Sequence, residues 1–244
     1  MKDPVYSGKY RISYYDLDYR GKIKLSAFIR MVHVAADVNA IDLGIGFTML
    51  KSQNISFILQ RFGARCFKMP EYDDEVTIRT WPCSIARGAF TRKGEMLDAE
   101  GCKLMEWASL WILFDIKNRK ILKPSALSQQ LPEMGSLSVS LEPAKVDIPQ
   151  YEGIFHAQYT HAVMYRDADT NMHMNNAMYG DLIGNAVFTQ LDDLPFENWS
   201  EVQINYLSEL KLGTSVDVTC TRYGDVLIIT GNESSKKSFI GLVR

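Results

Sequence analysis

The segment YRDADTNMHMNNAMY, residues 165–179, places polar side chains that can do chemistry at every second position from Asp167 to Asn175. A second segment, YYDLDYRGKIKLSAF at residues 14–28, matches it at a constant offset of 151 positions (165 − 14). Both copies keep a D-x-D pair, and an apolar pattern of helical period follows each one. The same pair at the same distance before two helices predicts an internal duplication.

Strand patterns follow both helices. The first helix is predicted over 25–43, and strands after it are predicted over 54–69, 74–80, 89–96 and 107–114. The second copy repeats this order: we predict a strand over 159–165, a helix over 179–187, and strands over 199–207, 215–221, 225–230 and 237–242. The sequence between the copies is rich in proline and has no sustained period, which is typical of a linker.

These patterns predict an α+β fold made of two similar units. A long helix wrapped by a curved antiparallel sheet leaves one sheet edge open, so we expect the two units to join their sheets into one. The predicted boundaries are 1–125 for an N-terminal unit, 126–154 for the linker and 155–244 for a C-terminal unit.

Composition excludes several classes of function. The formal net charge is −2 with both signs interspersed, so the chain lacks the basic field that nucleic-acid binding needs. No run of about 18 apolar residues occurs, so we expect no membrane insertion. The four cysteines are far apart and form no metal-ligand pattern, so we expect free thiols, no metal and no cofactor. A bacterial cytoplasmic protein is the simplest expectation.

The polar motif suggests acyl transfer. On an extended backbone the i, i+2, i+4 spacing directs Asp169, Asn171 and His173 to one side. Asn175 and Asn176 then begin a helix, whose unpaired backbone N–H groups can receive a negatively charged oxygen. A carboxylate, an imidazole, an amide and backbone donors are the groups that such a site requires.

The first copy serves as an internal control. Arg20 and Lys22 stand where Asn171 and His173 stand in the second copy, so the first copy cannot repeat the chemistry. It keeps both aspartates, which predicts that Asp167 is structural. We interpret the first unit as a structural partner that holds an acyl chain.

The motif resembles a known family signature. Residues 167–179, DADTNMHMNNAMY, resemble the D-x-D-x-N-x-H-x-N-N-x-x-Y signature of acyl-acyl carrier protein (acyl-ACP) thioesterases, the double hot dog enzymes of fatty-acid synthesis in plants and bacteria. Residues 56–82 also resemble a strand pair of the family's first domain. The resemblance implies a tandem hot dog fold, hydrolysis of fatty acyl-ACP, and acyl carrier protein as partner.

The resemblance also implies the catalytic residues: Asp169, Asn171, His173 and Glu209. Plant members carry a cysteine directly after the glutamate, but Leu210 stands there in this chain, which removes a thiol mechanism at that position. Two routes remain open: Glu209 and His173 deprotonate a water that Asn171 positions, or Asp169 attacks and forms an anhydride. Backbone N–H groups near Asn175 and Asn176 would polarise the carbonyl in either case.

Other functions are compatible with the same residues. An acyl-coenzyme A thioesterase on this fold would use the same carbonyl chemistry, and a non-catalytic acyl-binding module would bind the chain without releasing thiol. A homodimer is compatible with the sequence. The first helix and the strand around 57–67 are the candidates to line the acyl slot.

Overall fold

A computed structural model describes residues 3–129, 131–135, 137–188 and 198–244. The chain divides into two compact units, Met1–Tyr15 with Arg30–Pro143 (unit 1) and Asp16–Ile29 with Ala144–Arg244 (unit 2). In this division residues 16–29, which include most of the first motif copy, group with the second unit. No helix in the described ranges is long and apolar enough to cross a membrane.

Unit 1 contains an antiparallel sheet and two helices. Its helices are α1 (Leu25–Asp42), whose first residues fall in unit 2, and α2 (Phe47–Ser52). Its strands are β1 (Tyr6–Arg11), β2 (Ile55–Cys66), β3 (Glu75–Ala86), β4 (Ala89–Leu97), β5 (Lys103–Asp115) and β6 (Lys120–Leu122). The strands lie in the order β1-β3-β4-β5-β2, with β6 beside β5. The short helix α2 and the strand β6 carry no strong periodic pattern and were not predicted.

Unit 2 contains a second antiparallel sheet and the helix α3 (Tyr179–Phe188), which a 3-10 turn at Asn176–Met178 precedes. Its strands are β7 (Ile154–Ala162), β8 (Glu201–Tyr206), β9 (Ser215–Tyr223), β10 (Val226–Glu233) and β11 (Lys236–Val243). They lie in the order β7-β9-β10-β11-β8. The strand predicted over 159–165 is wrong in its bounds, because it begins earlier and ends before the motif.

The two sheets have the same topology. In each, the strand before the motif lies at one edge and the first strand after the long helix lies at the other end of the order. A packing detail repeats as well: Gly94 on β4 lies against the Trp107 ring of β5, and Gly231 on β10 lies against the Phe239 ring of β11. The α+β fold class is confirmed, and the shared order is what a duplication produces.

The described part of the predicted linker forms no helix or strand between 127 and 153, yet it is packed. Val139 and Leu141 are buried against Trp81 and Cys83 in unit 1. In unit 2 the buried Asn205 side chain accepts from Val146 N at 2.8 Å and donates to Ala144 O at 2.9 Å. The side-chain amide of a strand residue thus satisfies backbone groups of the linker that pair with no strand.

Candidate active site

The motif loop between β7 and α3 is a tight turn. The Asp169 N–H donates to His173 O at 2.8 Å, and Met172 takes a left-handed conformation with φ of 62°. The extended backbone predicted from the spacing is therefore wrong. The physical reason is the short carboxylate of Asp169, which accepts the N–H of Asn171 at 2.8 Å and so favours a local turn over an extended strand.

The turn itself brings the predicted side chains together. Asp169 also accepts from the side-chain amide of Asn171 at 3.3 Å and from the backbone N–H of His173 at 3.3 Å. Three donors therefore converge on one carboxylate. Asp169 therefore fixes the positions of Asn171 and His173.

The first motif copy forms the same turn. Asp18 accepts from Arg20 N at 2.8 Å and from Lys22 N at 3.0 Å, and Gly21 has φ of 73° where Met172 has 62°. The Arg20 guanidinium also pairs with the Asp18 carboxylate at 2.7 Å. The turn is thus independent of the chemistry, since the first copy keeps the turn without the amide and the imidazole.

Asp167 connects the second motif copy to the strand that precedes it. Its side chain is 1% exposed, and it accepts from Met164 N at 2.8 Å and contacts His161 Nε2 at 2.9 Å. The backbone carbonyl of Asp167 accepts the N–H of Asn175 at 2.8 Å. Asp167 therefore contacts the loop and the strand before it, as expected for a structural residue.

A long-range backbone pairing places Glu209 beside His173. Met174 N donates to Leu210 O at 2.7 Å, and Leu212 N donates to Met172 O at 2.9 Å. His173 Nε2 then lies 3.4 Å from Glu209 Oε2, with 26% and 43% of the two side chains exposed. The distance is longer than that of a typical hydrogen bond, so the two groups form a close polar contact.

The N-terminus of the second helix supplies fewer free donors than predicted. Asn175 caps it, because its Oδ1 accepts the N–H of Ala177 at 2.9 Å. Since the Asn175 N–H already donates to Asp167 O, its predicted oxyanion role needs revision. The N–H of Asn176 has no acceptor among the described residues, so the oxyanion donor would be Asn176.

Two tyrosines support this helix start. The hydroxyl of the partly buried Tyr206 donates to Asn176 O at 3.2 Å, and the Tyr206 ring lies 5.0 Å from that of Tyr179. Burial raises the pKa of both hydroxyls above the ordinary value, so they remain protonated donors. Sequence reasoning missed Tyr206, because an aromatic residue in a strand signals only a packed core.

Three of the four cysteines are poor nucleophiles. All four are free, and burial raises the pKa of Cys66 to about 11 and that of Cys220 to about 12. Burial also raises the pKa of Cys83. These groups stay as thiols at neutral pH and are poor nucleophiles. Within the same described ranges, no cluster of three His, Cys, Asp or Glu side chains could hold a metal ion.

Unit 1 contains a cavity of about 270 Å³. It is lined by α1, α2 and the strands β2 to β5. His33, Ala36 and Ala40 contribute from α1 and Phe57 from β2, which are the two elements predicted to hold an acyl chain. The walls are mainly apolar, with Leu50 among the buried side chains.

The chain matches two family models. The acyl-ACP thioesterase N-terminal domain matches residues 3–125, and the acyl-ACP thioesterase C-terminal domain matches residues 155–240. The chain belongs to the acyl-ACP thioesterase family. It is a thioester hydrolase that releases fatty acid from fatty acyl-ACP, as the family resemblance implied. No curated protein sequence matches the chain significantly.

Solved structures support the fold. An acyl-ACP thioesterase from Bacteroides thetaiotaomicron superposes with a TM-score of 0.84 at 17% identity, over 98% of this chain and 97% of that chain. A 12:0-ACP thioesterase from Umbellularia californica superposes with a TM-score of 0.80 at 14% identity, over 100% of this chain and 98% of that chain. The tandem hot dog prediction is therefore confirmed.

Proposed function

We propose that unit 2 carries the hydrolysis at the pair His173 and Glu209, and that the cavity of unit 1 holds the fatty chain. The partner is acyl carrier protein, and the place of action is the cytoplasm of a bacterium, where four free thiols persist. The observation that carries the proposal is the 3.4 Å contact between His173 Nε2 and Glu209 Oε2.

The proposed attack uses water. Glu209 accepts a proton as the water oxygen forms a bond to the thioester carbon, and the N–H of Asn176 stabilises the resulting oxyanion. The C–S bond then breaks, and the His173–Glu209 pair returns the proton to the leaving sulfur. The side-chain oxygen of Asn171 orients the water, since its amide nitrogen is held by Asp169.

Asp169 acts as a positioning residue in this mechanism. A nucleophilic carboxylate must approach the carbonyl carbon, but three donors hold this one in the turn. Asp18 accepts equivalent backbone bonds in the copy that lacks the catalytic amide and imidazole. The direct attack of water is therefore favoured over the anhydride route.

Substitution of His173 tests the assignment, with Lys22 as its matched control in the first copy. We expect His173→Ala to lower kcat for fatty acyl-ACP about 10²–10⁴-fold, because general acid–base catalysis contributes that much. We expect Lys22→Ala to stay within about twofold of wild type. Wild-type turnover in His173→Ala would contradict the proposal.

The carrier is tested in the same assay. Release of free thiol is measured from matched fatty acyl-ACP and fatty acyl-coenzyme A at equal concentration. We expect higher kcat/KM on acyl-ACP. A higher value on acyl-coenzyme A would reassign the natural substrate while leaving the catalytic pair unchanged.

A further inference from the structure

The cavity of unit 1 contains a charged side chain on an inner wall. Arg92 on β4 lines the cavity, and its Nη1 donates to Asn39 Oδ1 at 2.8 Å and to Thr80 Oγ1 at 3.3 Å. Asn39 and Thr80 are 1% and 0% exposed, so these contacts lie deep in the unit. Both bonds use the same nitrogen, whereas a guanidinium has five N–H donors on three nitrogens.

No carboxylate in the described residues forms an ion pair with Arg92. The acidic side chains that line the cavity, Asp37 and Glu133, are exposed at its rim. Burial lowers the pKa of Arg92 to about 10, so the side chain keeps its charge at neutral pH. Burial also lowers the pKa of His33 to about 4, which leaves that lining residue neutral.

The rest of the inner lining is mainly apolar. Ile45, Leu50 and Phe90 are buried, and Phe57 packs edge-on against Phe90 with ring centroids 5.1 Å apart. Such walls suit a hydrocarbon chain. The guanidinium is the exception, because methylene groups that cover it would remove its water without replacing the lost hydrogen bonds, which is costly for a charged group.

We propose that the unit 1 cavity selects acyl chains that carry a hydrogen-bond-accepting oxygen, and that Arg92 donates to this oxygen. The oxygen belongs to a hydroxyl, keto or carboxylate group on the chain, in addition to the thioester carbonyl. The inference rests on the proposed function, since it requires that the acyl chain enters unit 1. A plain saturated chain fits the same walls but leaves the Arg92 donors unpaired.

Binding of non-hydrolysable analogues tests this selectivity without catalysis. The ligands are decanoyl-pantetheine, with an amide in place of the thioester, and matched chains that carry a hydroxyl or keto group at successive carbons or a terminal carboxylate. Calorimetric titration of the full chain gives the dissociation constants. We expect at least one oxygen-bearing chain to bind about tenfold or more tightly than the plain chain, the gain that a hydrogen bond to a charged group provides.

Variants identify the residue responsible. Arg92→Met keeps the length of the side chain and removes its donors, so we expect the preference for oxygen to disappear. Arg79→Met is the matched control on the neighbouring strand, because Arg79 pairs with Glu95 and does not line the cavity. Circular dichroism checks that each variant folds, and the wild-type series decides alone if Arg92→Met does not fold.

The outcomes separate this inference from the proposed function. Stronger binding of the hydroxyl or keto chains points to a neutral oxygen, and stronger binding of the terminal carboxylate points to a dicarboxylic chain. Equal binding of all chains, or a preference that survives in Arg92→Met, overturns the inference and leaves the catalytic proposal in place. Failure of every analogue to bind overturns the acyl cavity and the inference together.

Discussion

Asp169 and Asp18 occupy equivalent positions in the two motif copies. Each closes a turn by accepting backbone N–H groups two and four positions ahead, at 2.8 Å and 3.3 Å in the second copy and at 2.8 Å and 3.0 Å in the first. Only the second turn presents an amide and an imidazole. A comparison of the two aspartates therefore separates what the turn requires from what the chemistry requires.

Alanine substitution of the two aspartates should affect stability alike and activity differently. We expect Asp169→Ala and Asp18→Ala each to lower the free energy of unfolding by about 1–3 kcal/mol, because backbone donors lose a charged acceptor. Only Asp169→Ala should lower kcat strongly, since it releases Asn171 and His173. Urea unfolding and acyl-ACP turnover measure the two effects. Equal losses of kcat in both variants would show that the first turn also serves catalysis.

The helix α3 packs closely against the backbone at Ser26. A Cβ on Gly180 would lie 2.6 Å from the backbone nitrogen of Ser26, whereas a Cβ on Gly184 would meet nothing within 4 Å. Both positions lie in the same helix, so packing is the main difference between them.

Two alanine substitutions in α3 should therefore have opposite signs. We expect Gly180→Ala to destabilise the protein by about 1–3 kcal/mol through overpacking. We expect Gly184→Ala to stabilise it by about 0.5–1 kcal/mol, because alanine costs less conformational entropy in a helix. Thermal or urea unfolding measures both. A stabilised Gly180→Ala variant would mean that the contact with the Ser26 backbone is not tight.

Local patterns predicted some elements well and others poorly. The helix expected over 25–43 is observed at Leu25–Asp42, because its apolar period extends over several turns. The turn at Asp169 was predicted as extended, since the two-residue spacing does not reveal that a side chain closes the loop. Glu209 had only the family resemblance in its favour, because the pairing of residues 172–174 with 210–212 is long-range. Arg92 gave no local signal, since a single arginine in a strand usually faces solvent.

The two units of the molecule share one strand order but contain different functional features. Unit 1 contains an apolar cavity with Arg92 in its wall, and unit 2 contains the turn that presents His173 to Glu209. Duplication permits such divergence, because each copy keeps the contacts that fold it while one copy loses its catalytic side chains. The stability of the chain should therefore depend on groups in both copies.

The buried imidazole of His33 should make stability depend on pH. Burial lowers the pKa of His33 to about 4, below the value of 6.5 for an exposed imidazole. Between these values the unfolded chain binds a proton that the folded chain does not, so stability falls as the pH falls. We expect His33 to contribute a loss of roughly 2 kcal/mol between pH 7 and pH 5. His33→Gln should lose this contribution, and urea unfolding of both proteins at the two pH values measures it. An identical pH dependence in both would contradict a neutral, buried His33.

The central claim is that His173 and Glu209 act as one catalytic pair, and a double-mutant cycle on acyl-ACP turnover tests it most directly. The rates of His173→Ala, Glu209→Gln and the double variant are measured under saturating substrate. Because residues that act as a unit are strongly non-additive, we predict that each single change lowers kcat at least about 100-fold and that the double variant is no slower than the slower single variant. Losses that multiply in the double variant, or wild-type turnover in Glu209→Gln, would contradict the account.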